Sequence, residues 1–386
     1  MPGPLVYLDH AATTPLAPAA HVAMEPWLTS RYGNPSGSHA IARDARRAVD
    51  EARDVVAAVL GCDPGEVVFT SGGTEADNLA VAGVAAAARL RGTSAGVVCS
   101  AVEHHAVLHS VEAEGGRPVP VDAGGRVDLG ALADAIGPGT ALVSVMLANN
   151  EVGTVHDLGA VAGVLAERAP GAVLHTDAVQ ATAWLDLAVH AAPAHLVSVA
   201  AHKFGGPQGV GALVVRGGVP LKPLLRGGGQ ERERRSGTHN VAGIVGMAAA
   251  LAAVAEDRDA AVAVTARRRD RLVAGIRASL GGVTETAAGV PRLPNIAHLR
   301  VAGTESEALL VLLDDEGVCA SAGSACASGA LEPSHVLSAM GVPRDEARTA
   351  LRLSLGRTTT DEDVERAIAA VSAAVHRLRA PVGARH

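Results

Sequence analysis

Along the chain, short apolar runs alternate with longer alanine-rich stretches, a pattern that predicts an α/β protein. Strands are predicted at Val67–Thr70, Gly96–Cys99, Ala141–Leu147, Ala172–Thr176, Leu196–Val199 and Gly211–Val215. Helices are predicted between them at Thr74–Leu90, His105–Glu114, Leu158–Arg168 and Asn240–Leu280. This spacing suits a mostly parallel sheet with crossover helices. After Gly281 the texture changes. Strand-like pieces (Ile296–Leu299, the run before Ala325, Leu351–Leu355) alternate with helices at Glu305–Glu316 and Asp361–Leu378, as in a smaller α+β domain. The first dozen residues are too short to stand alone and are expected to join one of these bodies.

Composition narrows the class. The chain has 386 residues, 48% hydrophobic and 19% charged, which excludes a disordered polymer. Only six residues are aromatic, so Ala, Val and Leu must build the core. The net charge of −7 argues against a nucleic-acid partner held by electrostatics. The longest uncharged apolar run, Val241 to Ala255, is too short to span a membrane, which takes roughly 18–20 residues. The N-terminus has no basic stretch or apolar h-region, so a cytoplasmic location is expected. Four cysteines (Cys62, Cys99, Cys319, Cys326) make neither a disulfide framework nor a CxxC pair, and a thiol can stay free for chemistry.

The 33 basic residues are 31 arginines and only two lysines, Lys203 and Lys222. A lysine that persists in such a background is a candidate for chemistry that arginine cannot perform, such as forming an imine with a carbonyl. Lys222 lies between prolines in an evident loop, whereas Lys203 follows a strand. In open α/β sheets, ligands sit beyond the carboxyl ends of the strands. There, EVVFT runs into SGGTEADN, a glycine turn opening a helix at Thr74, suited to a phosphate. AVLHT ends in Asp177, followed by Gln180; LVSVMLA ends in Asn149 and Asn150; LVSVA leads to His202 and Lys203, then turns through GGPQG into an expected hairpin. A phosphate cradle, a carboxylate, an amide pair and a rare lysine at the ends of one sheet match the needs of pyridoxal phosphate. The lysine would form the Schiff base and the carboxylate would keep the ring nitrogen protonated.

These segments resemble the NifS/IscS-type cysteine desulfurases, class V pyridoxal-phosphate enzymes of fold-type I (aspartate aminotransferase-like). The likeness covers YLDHAATTP (7–15), YGNPSGSH (32–39), FTSGGTEADN (69–78), VEHHAVL (102–108), NNEVGT (149–154), HTDAVQ (175–180) and AHKFGGPQGVG (201–211). It continues through GGGQERERRSGT (227–238), SAGSACAS (321–328), PSHVL (333–337) and LRLSLGRTTT (351–360). The resemblance implies a large cofactor domain over residues 15–258 with a mostly parallel central sheet. A small α+β domain would comprise residues 1–14 and 259–386. It makes Lys203 the Schiff-base lysine, pairs Asp177 with the pyridine nitrogen, and sets Gln180 and Asn150 on the phenolic oxygen. His104 would stack on the ring, and Gly73, Thr74 and His202 would hold the phosphate. Thr238 would reach the phosphate site of a neighbouring subunit, which implies a homodimer. Arg352, with Asn34, would bind the substrate, the arginine by receiving its carboxylate.

Cys326 falls at the family's catalytic cysteine and is flanked by small residues that leave a thiol free to move, as a sulfur carrier requires. The implied reaction converts L-cysteine to alanine and leaves a persulfide on Cys326 for an acceptor protein or thiol, in iron–sulfur assembly or thiolation. Lys203 and His104 would shuttle protons. Alternatives are another class V enzyme, such as a selenocysteine lyase, or a cofactor-poor scaffold in a sulfur-assembly complex. Two departures from the family pattern bear on the scaffold reading: Ala200 replaces a usual serine and Glu233 a usual glycine. Cys319 reads as a strand cysteine. His105 and His109, one helical turn apart near Cys99, make a metal conceivable, but the family pattern assigns none.

Overall fold

The computed structural model describes residues 5–323 and 334–380. Twelve strands lie among the described residues: β1 (Val6–Tyr7), β2 (Val67–Thr70), β3 (Gly96–Ser100), β4 (Arg117–Val119), β5 (Thr140–Ser144), β6 (Val173–Asp177), β7 (Leu196–Ala200), β8 (Gly211–Val215), β9 (Val283–Glu285), β10 (Ile296–Val301), β11 (Val318–Cys319) and β12 (Ala350–Ser354). Seven form one sheet in the order β2-β8-β7-β6-β5-β3-β4. Only β8 runs against the others, because it is the return strand of the β7–β8 hairpin. The expected mostly parallel sheet and the hairpin are both present.

The apolar runs are strands buried on both faces, as a parallel sheet covered by helices requires. On one face Leu142, Val173, Leu196 and Leu213 pack against Leu79, Ala80 and Val84 of the helix Gly73–Leu90. On the other face Val143, Leu174, Val197 and Val199 meet the helices Ala40–Leu60, Leu158–Arg168 and Val241–Ser279. The helix Ala40–Leu60 was not among the predicted elements. Its ends are well marked: the His39 side chain accepts from Ala42 N, and Gly61 closes it at φ 66°.

The helix predicted at Asn240–Leu280 is observed as Val241–Ser279, with a break in helical geometry at Asp257. Its second half packs through Leu272, Val273 and Ile276 onto a separate core formed by β10, β12 and the helices Ser306–Asp315 and Asp361–Arg379. That body holds the antiparallel sheet β12-β10-β9, and β1 pairs in parallel with β11 beside it. Bridges Asp9–Ser354 and Ser321–Arg352 tie this pair to β12, so the N-terminal segment joins the C-terminal body.

Candidate active site

The carboxyl ends of the large sheet's strands surround a cavity of about 360 Å³. Its lining includes Gly73, Thr74, His104, Asn150, Asp177, Gln180, His202, Lys203 and Arg352, nine of the residues singled out from the sequence. β2 ends at Thr70 and the chain turns through Gly72, at φ 151°, into the helix Gly73–Leu90. Only glycine adopts that conformation freely. A second glycine makes room for the turn: a Cβ on Gly211 of β8 would stand 2.8 Å from Gly72 Cα and 2.5 Å from the Val199 carbonyl oxygen. Helix-terminal amides and the dipole then face the cavity, as a phosphate needs. Ala200 lines the same wall, so a methyl group stands where the resemblance expects a hydroxyl.

Asp177 closes β6 and is buried. Burial pushes its carboxyl up to about 6, against the lowering pull of the Val179 amide and the Lys203 ammonium. Lys203 follows β7 on a single 3-10 turn and donates from Nζ to the carbonyls of Ala11 (2.6 Å) and Ala12 (2.7 Å). Gln180 Nε2 donates to the same Ala11 carbonyl at 2.7 Å. The YLDHAATTP segment therefore braces the lysine from the other body of the molecule.

His104 caps the helix His105–Ala113: its Nδ1 accepts from Ala106 N at 3.1 Å, which leaves the proton on Nε2. Burial, with Lys203 nearby, pushes this imidazole down to about 4, so it is neutral at physiological pH. His202 is likewise lowered to about 4 by burial and by Lys203, and its Nδ1 lies 3.2 Å from Thr13 Oγ1. Of the two asparagines, Asn149 is buried and folds its own loop, accepting from the Glu151 and Val152 amides, while Asn150 lines the cavity.

Arg352 on β12 is 2% exposed. Its Nη2 donates to Asp9 Oδ1 at 2.7 Å and its Nη1 to the Asn150 carbonyl at 3.0 Å. Its Nε is buried without a partner among the described residues. No local pattern marks Asp9 for this role, because 343 residues separate the pair. Glu151, Asp77, His105 and His335 also line the cavity without having been singled out for it. Glu151 accepts from Ser334 Oγ at 2.5 Å, and burial raises its pKa.

Two of the expected site residues lie elsewhere in this single chain. Thr238 and Asn34 are exposed and do not line the cavity. Cys326 lies outside the described residues, but Gly323 and His335, on either side of the segment 324–333, both line the cavity. Glu233 is exposed within the chain. The buried acid of that loop is Glu231, held by Arg53 at 2.6 Å, His239 at 2.7 Å and the Phe69 amide at 2.9 Å. Cys319 sits half-buried in β11, its thiol raised by burial.

A pyridine ring carrying a phosphate and an aldehyde needs an anion cradle, an acid–base partner for its nitrogen and an amine. This cavity presents the helix terminus, Asp177 and Lys203 for those needs, so the residues fit the group.

The chain matches the aminotransferase class-V family over residues 6–367. It belongs to that family. The chain is 46% identical over 385 residues to an IscS-like cysteine desulfurase of Mycobacterium tuberculosis (strain ATCC 25618 / H37Rv), covering 97% of each chain. Among solved structures, one described as a NifS-like protein superposes with a TM-score of 0.88 at 34% identity, covering 96% of this chain and 98% of that one. Another, described as SspA in complex with cysteine, superposes with a TM-score of 0.78 at 31% identity, covering 92% and 99%. The class V fold accounts for the placement of the aminotransferase-like cavity at the sheet's carboxyl edge.

Proposed function

We propose that the protein is a pyridoxal-phosphate-dependent cysteine desulfurase, acting in the cytoplasm as a homodimer. The observation that carries this reading is the convergence of Lys203, Asp177, the helix start at Gly73 and Thr74, and Arg352 on one cavity. The full-length likeness to a cysteine desulfurase supports the substrate. Bound there, the cofactor would act as an electron sink for the substrate's Cα. Gly73, Thr74 and His202 would hold its phosphate, Asp177 its ring nitrogen, Gln180 and Asn150 its phenolic oxygen, and His104 its ring face. Thr238 would serve the partner's phosphate site, and Asn34 the substrate.

Arg352 would take the substrate carboxylate, with Asp9 fixing the guanidinium from behind. Lys203 Nζ would accept and return the Cα proton. His104, neutral and protonated at Nε2, donates to the substrate and takes the proton back. The Cys326 thiolate attacks the substrate sulfur, breaking its bond to Cβ. Alanine leaves and a persulfide stays on Cys326. L-cysteine plus one thiol gives alanine plus one persulfide, so no external oxidant or reductant enters. The sulfur then passes to an acceptor protein or thiol, in iron–sulfur assembly or thiolation.

The test is turnover of L-cysteine with a reductant present. Equal alanine and sulfide, both abolished in Cys326→Ser and in Lys203→Ala, are expected. Alanine production that survives Cys326→Ser would contradict the sulfur-transfer role.

A further inference from the structure

A carboxylate stands at the start of the helix that would receive a phosphate. Glu75 follows Thr74 in the first turn of the helix Gly73–Leu90, the element that offers its amides and dipole to the cavity. Its Oε2 accepts from the Ser71 amide at 2.7 Å, so the side chain folds back over the turn from β2 into the helix. An acid in a first turn suits the helix dipole. The same charge repels any phosphate bound by the neighbouring amides.

Arg235 answers that charge. Its Nε donates to Glu75 Oε1 at 2.8 Å and its Nη2 to Oε2 at 3.2 Å, a fork on both oxygens. The two side chains are 20% and 14% exposed, so solvent screens the pair only in part. Burial alone would raise the Glu75 carboxyl, but Arg235 and Ser71 outweigh it and hold it below its usual value.

The loop that delivers Arg235 is costly to fold. Glu231, Arg232 and Glu233 stand at φ 48°, 54° and 64°, a left-handed run that residues with a Cβ rarely adopt. Glu231 anchors the run through Arg53 and the Phe69 amide. Beyond it, Ser236 Oγ donates to the Gly228 carbonyl at 2.6 Å and the Gly237 amide to Gln230 Oε1 at 3.1 Å. Arg232 and Arg234 both donate to the Gly65 carbonyl, at 3.2 and 3.4 Å. Among the described residues, Arg235 alone of these three arginines pairs with an acid. The strained, braced loop therefore sets one guanidinium against the start of the cradle helix.

We propose that Arg235 is a positioning residue of the phosphate site: it cancels the Glu75 charge at the helix start and pins the turn that the cofactor's phosphate would meet. The inference rests on the cofactor reading above. Thr238, three residues further along this loop, is read there as serving the partner's phosphate, so one braced loop would serve both sites of a dimer.

The experiment measures binding of pyridoxal phosphate, and separately of pyridoxal, to the full chain stripped of cofactor. Equilibrium dialysis gives the affinities and thermal melting checks the fold of each variant. Arg235→Met should weaken pyridoxal phosphate about tenfold, the effect of one uncompensated neighbouring charge, and leave pyridoxal within about twofold. Glu75→Gln keeps an oxygen for the Ser71 amide and removes the charge, so its affinity should equal or exceed that of the wild type. The double variant, Arg235→Met with Glu75→Gln, should return to within about twofold of the wild type. A double variant as weak as Arg235→Met would make Arg235 a brace of the loop only and overturn the inference. Unchanged affinity in Arg235→Met, or equal losses for the two ligands, would do the same. If Arg235→Met does not fold, Glu75→Gln and the double variant decide, and a tenfold loss in either overturns the inference. A wild-type chain that binds no pyridoxal phosphate overturns the cofactor reading, and this inference with it.

Discussion

At Arg352, one guanidinium has two tasks. Asp9 and the carbonyls of Asn150 and Gly323 hold its Nη atoms, so an incoming carboxylate meets a fixed, desolvated cation. Arg352→Lys keeps the charge and loses the fork. We expect KM for L-cysteine to rise about 10- to 100-fold, the loss of one or two charge-assisted hydrogen bonds, with a smaller change in kcat. Steady-state kinetics checks this, and an unchanged KM would place the carboxylate elsewhere. Lys203 was legible because a rare residue type follows a strand end, and Asp177 because it shares that sheet edge with the lysine and the glycine turn. Asp9, Glu151 and Asp77 were not, because their environments form only when β1, the Asn149 loop and the helix Gly73–Leu90 close around one cavity. Asp77 does lie in the quoted TEADN run, and an acidic residue one turn into a buried helix was a usable signal.

At the scale of the element, glycine contacts and buried charge shape the cradle. A methyl group on Gly211 would drive β8 into Gly72 and the Val199 carbonyl. Gly211→Ala should cost about 1–3 kcal/mol of stability. It should also weaken cofactor binding at least about tenfold, which dialysis of the refolded protein reads directly; equal affinity would show that the turn does not hold the phosphate. The loop 230–233 is held by Glu231 even though Glu231, Arg232 and Glu233 all sit at positive φ. Burial alone would raise the Glu231 pKa, but His239, Arg53 and the Phe69 amide outweigh it and hold the carboxylate at about 2. Its folded pKa is depressed, so its stabilisation is full above the unfolded value of about 4.5 and is lost as pH falls toward 2. Glu231→Gln should therefore cost about 3–5 kcal/mol at pH 7, the usual penalty for breaking a buried pair. The gap between the two melting curves should close as pH falls from 4.5; a gap independent of pH would remove the ion pair from the account. The core strands between 67 and 215 were legible because double-sided burial leaves unbroken apolar runs. The helix Ala40–Leu60, though not predicted, carried a usable signal: Ala45, Val49, Ala52, Val56 and Leu60 recur at helical spacing among charged residues.

For the whole molecule, the central feature is a site assembled from both ends of the chain. Residues 9–12 and Arg352 come from the body formed by the N-terminal segment and the C-terminal third. Asp177 and Lys203 come from the large sheet. We propose the break at Asp257 as the boundary between domains 15–258 and 1–14 with 259–386, supported by the two separate cores on either half of that helix. Sequence patterns could show both bodies; which residues face each other across them is fixed by packing over hundreds of positions. The sulfur-transfer claim turns on Cys326, and intact-mass spectrometry tests it most directly. The full chain is loaded with cofactor and mixed with L-cysteine without reductant, and alanine is counted in parallel. The account predicts a mass increase of one sulfur atom per subunit, one alanine per added sulfur, and the added mass on the peptide containing Cys326. Alanine formed with no sulfur on that peptide would contradict it.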